Sequence, residues 1–216
     1  MTDFDFARHA MVAEQIASRG LRNARVLDAM RRVPRHAFVP EAIEAWAYTD
    51  SPLPIGEDQT ISQPYIVALM ADAAHLCAGH RVLEIGTGSG YGAAILAEIA
   101  AHVDTIERLR TLADHARRVL ADLGYANIDV HHRDGTLGLP ERAPFDAIVA
   151  TAGGPRVPDL WRTQLAIGGR IVMPIGPDRD MQRLVRVVRT SERQFDTEDL
   201  CAVQFVPLIG EHGWQS

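Results

Sequence analysis

Cysteine is scarce in this chain of 216 residues: only Cys77 and Cys201 occur, far apart. They form no disulfide framework, no CxxC pair and no zinc-type spacing. Two buried thiols in a reducing compartment are the expectation. Aromatic residues make up 6% of the chain, and its three tryptophans read as packing residues, not a stacking platform. Positive charge is not in excess; the formal net charge is −6, which argues against a broadly basic nucleic-acid surface. No segment approaches the roughly 20 apolar residues of a membrane-spanning helix. The first eight residues carry acids where a secretory leader needs basic and then apolar residues. A cytoplasmic protein that binds neither nucleic acid nor membrane is expected.

What is present is ordinary globular material: 47% hydrophobic and 23% charged residues, with length for one well-buried core. Residues 7–47 read as short amphipathic helices, broken at Gly20 and Pro34. Residues 51–65 contain three prolines and a glycine and read as a long loop, the kind that is usually functional. Helix returns at 66–76. From residue 80 the pattern alternates. Strands are expected at 81–85, 103–107, 128–132, 146–151 and 170–174, with helices at 91–101, 109–123 and 157–165. Two last strands, 184–188 and 201–206, follow without a helix between them. Alternation of this kind predicts a doubly wound, mostly parallel Rossmann-like sheet, and the closing pair predicts an antiparallel terminal strand. The chain divides into N-terminal helices and loop (1–79) and an α/β core (80–216) within one domain.

The run VLEIGTGSGY at 82–91 carries the clearest chemistry. A buried strand ends in Glu84 and Ile85, then turns through Gly86, Gly88 and Gly90 into a helix. Glycines there let backbone approach a ligand without Cβ obstruction. Glu107 closes the next strand, at the place where an acid accepts from ribose hydroxyls. The spacing is GxGxG, and Tyr91 stands where the dinucleotide fingerprint needs a third glycine. Glu84 would repel a pyrophosphate and attract a ligand carrying an ammonium and a sulfonium. These details favour S-adenosylmethionine over a nicotinamide dinucleotide. After the third strand, Asp134-Gly135 could accept from an adenine amine, or be an ordinary Asp-Gly turn.

Several stretches together resemble the protein-L-isoaspartate O-methyltransferases: VLDAMRRVPRHAFVP at 26–40, DSPLPIG at 50–56, QTISQPY at 59–65, DGTLGLP at 134–140, APFDAI at 143–148, QLAIGGR at 164–170 and FVPL at 205–208. The resemblance covers nearly the whole chain, and the proline-rich loop is its most specific part. It implies a class I S-adenosylmethionine-dependent methyltransferase. Such an enzyme transfers a methyl group to the free α-carboxylate of L-isoaspartyl residues in damaged proteins and peptides. The ester then closes to a succinimide, which starts repair, and S-adenosylhomocysteine is released. Carried over by position, Ser62 is the active-site serine, and Thr60, Ile61 and Gln63 are its neighbours at the substrate. Glu84, Gly86, Thr87, Gly88, Ser89 and Gly90 form the cofactor loop, Glu107 the ribose acid, and Asp134 and Gly135 the adenine contact. Two departures stand out. Glu84 replaces the aspartate of some members, and Arg133 stands where a small residue is expected, either crowding the adenine rim or pointing to solvent.

The acceptor chemistry is consistent with the missing triad. A carboxylate is ionised at neutral pH and needs no base to become a nucleophile. Ser62 would orient it rather than attack, although by local sequence Ser62 could simply cap the helix that starts at Pro64. No His/Asp/Glu set has metal-ligand spacing, so no metal is expected. Trp46, Trp161 and Trp214 read as packing residues. Two other readings remain open: a methyltransferase of this fold with another acceptor, and a homologue that binds S-adenosylmethionine without turnover. Thr151-Ala-Gly-Gly154 stands where amine methyltransferases carry an Asn-Pro-Pro-Tyr type motif, which weighs against an amine acceptor.

Overall fold

The computed structural model describes residues 3–215. Helix α1 (Asp3–Ala10) runs into a π-helical turn (Met11–Ile16) and a 3-10 turn (Ala17–Arg19), ended by Gly20 at φ 99°. In α2 (Ala24–Arg32) the Asn23 side chain accepts from Arg25 N and caps the first turn. Two 3-10 turns follow, Arg35–Phe38 and Glu41–Trp46. The helical reading of this region holds, with tighter and looser turns where α-helix was expected.

The proline-rich segment is not a plain loop. It folds into an antiparallel hairpin of β1 (Leu53–Gly56) and β2 (Gln59–Ile61). Glu57 and Asp58 both take positive φ, 52° and 55°, the conformation a two-residue hairpin turn demands. Asn-Gly or Asp-Gly is the usual signal there, so Glu-Asp hid the turn. Helix α3 (Pro64–Ala73) starts directly after it, with proline in its first turn.

The main sheet has seven strands: β3 (Arg81–Ile85), β4 (His102–Glu107), β5 (Ile128–His132), β6 (Phe145–Ala150), β7 (Leu165–Ile175), β8 (Gln182–Arg189) and β9 (Phe195–Val203). Their order is β5-β4-β3-β6-β7-β8-β9. The first five are mutually parallel, and β8 runs antiparallel to both β7 and β9. The direction of the chain reverses at β3, between β4 and β6, which makes the carboxyl ends there the expected ligand crevice. The expected antiparallel strand is β8. Strand β9 begins six residues earlier than expected, because Asp196 to Asp199 are exposed on an edge. Charged residues of that kind protect an edge strand from further pairing, and Arg183 and Arg186 pair with Asp199 and Glu198.

Alternation along the strands divides the core. Val82, Val103, Val149 and Val172 join Met11, Ile16, Met30, Met70, Tyr91 and Ile95 in one buried cluster. Helices α4 (Tyr91–Ala97) and α5 (Arg110–Asp122) cover this face. Leu83, Ile85, Ile106, Ile148 and Met173 form the other cluster with Phe145 and Trp161. That face is covered by α6 (Asp159–Gln164), but the β5–β6 crossover supplies only two 3-10 turns, Gly135–Leu137 and Pro140–Arg142. Trp161 is fully buried, whereas Trp46 is 61% exposed, so the packing role expected for Trp46 is not observed. Cys77 and Cys201 are both half-buried rather than buried.

Candidate active site

Strands β3, β4 and β6 end around one cavity of about 200 Å³. Its floor is Glu84 to Ser89 with Ile106 and Glu107; its roof is Gln59 to Ser62, from the end of the hairpin, with Val206 to Ile209. The sequence placed these two motifs some twenty residues apart. The fold brings them face to face.

The glycine turn is built by backbone. Gly86 N donates to Ile106 O at 2.8 Å and Gly90 N to Thr87 O at 2.8 Å. Gly86, Gly88 and Gly90 all have positive φ, which only glycine adopts without strain. A Cβ at Gly86 would also overlap Thr151 Oγ1, whose hydroxyl donates to Gly86 O at 2.6 Å. Tyr91 turns away into the N-terminal helices, with its ring 5.6 Å from that of Phe38 and beneath the Arg35 guanidinium. Its bulk therefore ties the cofactor turn to the helical layer.

Glu107 is 7% exposed, and both of its oxygens are held: Gly88 N donates to Oε2 and Leu109 N to Oε1, each at 2.9 Å. The carboxylate is thus fixed before any ribose arrives. Glu84 is different. It is 1% exposed and its one hydrogen bond among the described residues comes from Thr105 Oγ1 at 2.5 Å. Thr105 Oγ1 in turn lies 2.7 Å from Thr87 Oγ1. With Thr105 donating to Glu84, Thr87 donates to Thr105, so the two hydroxyls form a directed chain ending on the acid. Burial pushes the Glu84 carboxyl up to about 8, with the Thr105 bond pulling down and the Glu107 charge pushing up. The expected standing charge on Glu84 is corrected: burial keeps its proton on near neutral pH unless a cation is adjacent. Gly92 makes this burial feasible, since a Cβ there would overlap Glu84 Oε1. Thr105 and Gly92 were missed by sequence reading, and Thr151 was noted only for its place after the strand, not for its bond to the glycine turn. The third glycine in the run GSGYG was the available signal for Gly92.

The substrate-side residues divide. Thr60 is exposed at the cavity and Ile61 is 4% exposed, within the core. Ile61 anchors the strand while its neighbours face the opening. Gln63 is the N-cap of α3 but makes no capping bond. Its amide donates instead to Asp50 Oδ1 at 2.9 Å and Asp50 O at 3.2 Å, closing the base of the hairpin. Ser62 lies one residue outside the cap, so the helix does not occupy it, and its hydroxyl has no hydrogen-bond partner among the described residues.

Gly135 lines the cavity, and a Cβ there would lie 2.5 Å from Ile85 Cγ2, well inside van der Waals contact. Asp134 does not line it. Its Oδ1 accepts from Thr136 N and Oγ1, both at 2.8 Å, and its Oδ2 from Glu211 N at 2.9 Å. Burial pushes this carboxyl up, but those donors outweigh it and hold it below the usual carboxylate range. Asp134 thus docks the C-terminal segment behind the cavity. Arg133 pairs with Glu141 on the surface and does not crowd the rim.

A reversed parallel sheet, a glycine turn between β3 and α4, and a strand-terminal acid on β4 define a class I S-adenosylmethionine-dependent methyltransferase. The profile of the protein-L-isoaspartate(D-aspartate) O-methyltransferase family matches residues 7–213, and the chain belongs to that family. It is 58% identical over 215 residues to protein-L-isoaspartate O-methyltransferase 1 of Rhodopseudomonas palustris (strain HaA2), covering all of this chain and 88% of the relative. A Geobacter metallireducens protein-L-isoaspartate O-methyltransferase is 53% identical over 212 residues, covering 98% of each. Among solved structures, a protein-L-isoaspartate O-methyltransferase superposes with TM-score 0.87 at 29% identity, over 95% of this chain and 67% of the other. A Plasmodium falciparum structure with S-adenosyl-L-homocysteine bound has TM-score 0.81 over 94% of this chain and 98% of its own; at 24% identity it speaks to the fold.

Proposed function

We propose that the cavity between the hairpin and the glycine turn is where this methyltransferase brings S-adenosylmethionine and the α-carboxylate of an L-isoaspartyl residue together. The observation that carries this reading is the unengaged Ser62 hydroxyl facing the same cavity as Glu84 and Glu107. The residues fit the methyl donor. Glu107 presents a pre-oriented carboxylate to ribose hydroxyls, the glycine turn leaves room for backbone approach, and Glu84 answers a cationic amino-acid head. Gly135 borders the adenine end, with Asp134 acting through the segment it docks. The donor supplies an electrophilic methyl group on a sulfonium.

The chain's own residues then have a modest task. The acceptor carboxylate is already ionised, so no base is required. Ser62 donates a hydrogen bond that holds one carboxylate oxygen and leaves the other free to attack; Thr60 and the backbone around Ile61 and Gln63 line its approach. Orientation of this kind can supply several kcal/mol. An anion and a cation become neutral products, and a site roofed by the hairpin and Val206 to Ile209 keeps water from stabilising the separated charges. Isoaspartyl proteins and peptides are the substrates on this reading, and the cytoplasm is its setting. Ser62→Ala tests it. Loss of one hydrogen bond to a charged group costs about 1.5–3 kcal/mol, so kcat/KM for an isoaspartyl peptide should fall roughly ten- to a hundredfold, with S-adenosylhomocysteine affinity unchanged. Unaltered kinetics would remove Ser62 from the site.

A further inference from the structure

Upstream of the cavity-lining ends Ile106 and Glu107, two short palindromic patterns meet: His102-Val-Asp104 on β4 and Asp129-Val-His131 on β5. Residues two apart on a strand share a face, and Asp104 stands directly opposite Asp129 in the parallel register. All four side chains therefore gather on the face that the β5–β6 crossover leaves without a helix.

The centre of the group is unusual. The Asp104 side chain is 0% exposed. His131 Nε2 lies 2.8 Å from its Oδ1, but Oδ2 is buried with no hydrogen bond among the described residues, and so is His102 Nε2. An unmet carboxylate oxygen and an unmet imidazole nitrogen are costly in a buried setting. They are 3.8 Å apart, and Asp129 Oδ2 is 3.4 Å from the same nitrogen. One ligand atom from each of His102, Asp104 and Asp129 lies within 4.8 Å of the others. Such spacing lets an ion at about 2.0–2.2 Å from each be reached by small side-chain movements.

We propose that His102, Asp104 and Asp129 form a binding site for a divalent transition metal of the zinc type, separate from the methyl-transfer site. One imidazole and two carboxylates match the ligand preferences of zinc, with a fourth position left to water. His131, bonded to the second oxygen of Asp104, orients that ligand from behind. Arg81 and Arg142 approach Asp104 Oδ2 and Asp129 Oδ2 at 3.9 and 3.5 Å. Their charge opposes a cation, and Arg142 donates to Asp129 Oδ2 while Arg81 lies over the Phe145 ring; both side chains are substantially exposed, and metal binding requires them to move outward. The site escapes a linear search because its donors alternate along two strands instead of following a finger or helix spacing.

The test is isothermal titration of chelator-treated full-length protein with zinc chloride, alongside His102→Ala, Asp129→Ala and His131→Ala. The first two are at least partly exposed and should fold; circular dichroism checks this. A single saturable equivalent in the unaltered chain, weakened at least about tenfold by His102→Ala and by Asp129→Ala and to a lesser degree by His131→Ala, supports the site. Absence of saturable binding overturns it, as does binding that neither His102→Ala nor Asp129→Ala alters, which would place the ion on other histidines. Cobalt absorption in the visible range gives a second readout of imidazole–carboxylate ligation, independent of methyl transfer.

Discussion

Glu84 carries its charge conditionally. Its ordinary carboxyl value is 4.5 and burial raises it to about 8. Between those values the folded chain keeps a proton that the unfolded chain has released. The stability Glu84 contributes is thus fully present below 4.5 and is lost as pH rises toward 8. A cationic ligand reverses the preference, so binding of S-adenosylmethionine should release a proton and tighten as pH rises through the neutral range. Calorimetry in buffers of different ionisation enthalpy measures this directly, and Glu84→Gln should abolish the proton release. Thr105 pulls the same group down. Thr105→Val should move the pH dependence of binding to more alkaline values, and Thr105→Ser should restore it. A purely structural Thr105 would change stability without moving the profile.

Two elements shape the cavity. Helix α4 carries Gly92 against Glu84. Alanine there would gain about 1 kcal/mol of helix propensity, but its Cβ would overlap Glu84 Oε1, and overpacking a buried contact typically costs about 1–3 kcal/mol. Gly92→Ala should therefore weaken S-adenosylhomocysteine binding, as measured by calorimetry, despite the better helix former. The β1–β2 hairpin is the other element. Ile55 packs over Gly88, and its tip is tied to α5 where Thr111 Oγ1 donates to Glu57 Oε1 at 2.8 Å. Because that bond is exposed, Thr111→Val should leave the melting temperature almost unchanged while raising KM for the peptide a few-fold. The cofactor strand, turn and following acid were legible because apolar runs and glycines report directly on burial and close approach. The hairpin was not, since its turn uses Glu57 and Asp58 instead of glycine. The bond that Asp134 Oδ2 accepts from Glu211 N was not legible, because its partner is distant in sequence. Relays such as Thr87–Thr105–Glu84 require strand register, which composition cannot supply.

At the scale of the whole molecule, one apolar cluster runs from Met11 and Ile16 through Met30 and Tyr91 to Val82 and Val149. The helical layer and the α/β core share it, so a fragment of residues 80–216 should expose Tyr91 and Ile95, bind a hydrophobic dye and lack a cooperative melt. The same continuity places the substrate hairpin over the methyl donor: neither half alone forms the cavity. The most direct measurement is transfer of labelled methyl from S-adenosylmethionine to paired peptides that differ only in an isoaspartyl or a normal aspartyl residue. Base-labile methyl ester on the isoaspartyl peptide, absent from its aspartyl counterpart and strongly reduced by Ser62→Ala, is the predicted result. Equal labelling of both peptides, or no ester on either by a folded chain that binds S-adenosylhomocysteine, would contradict the account.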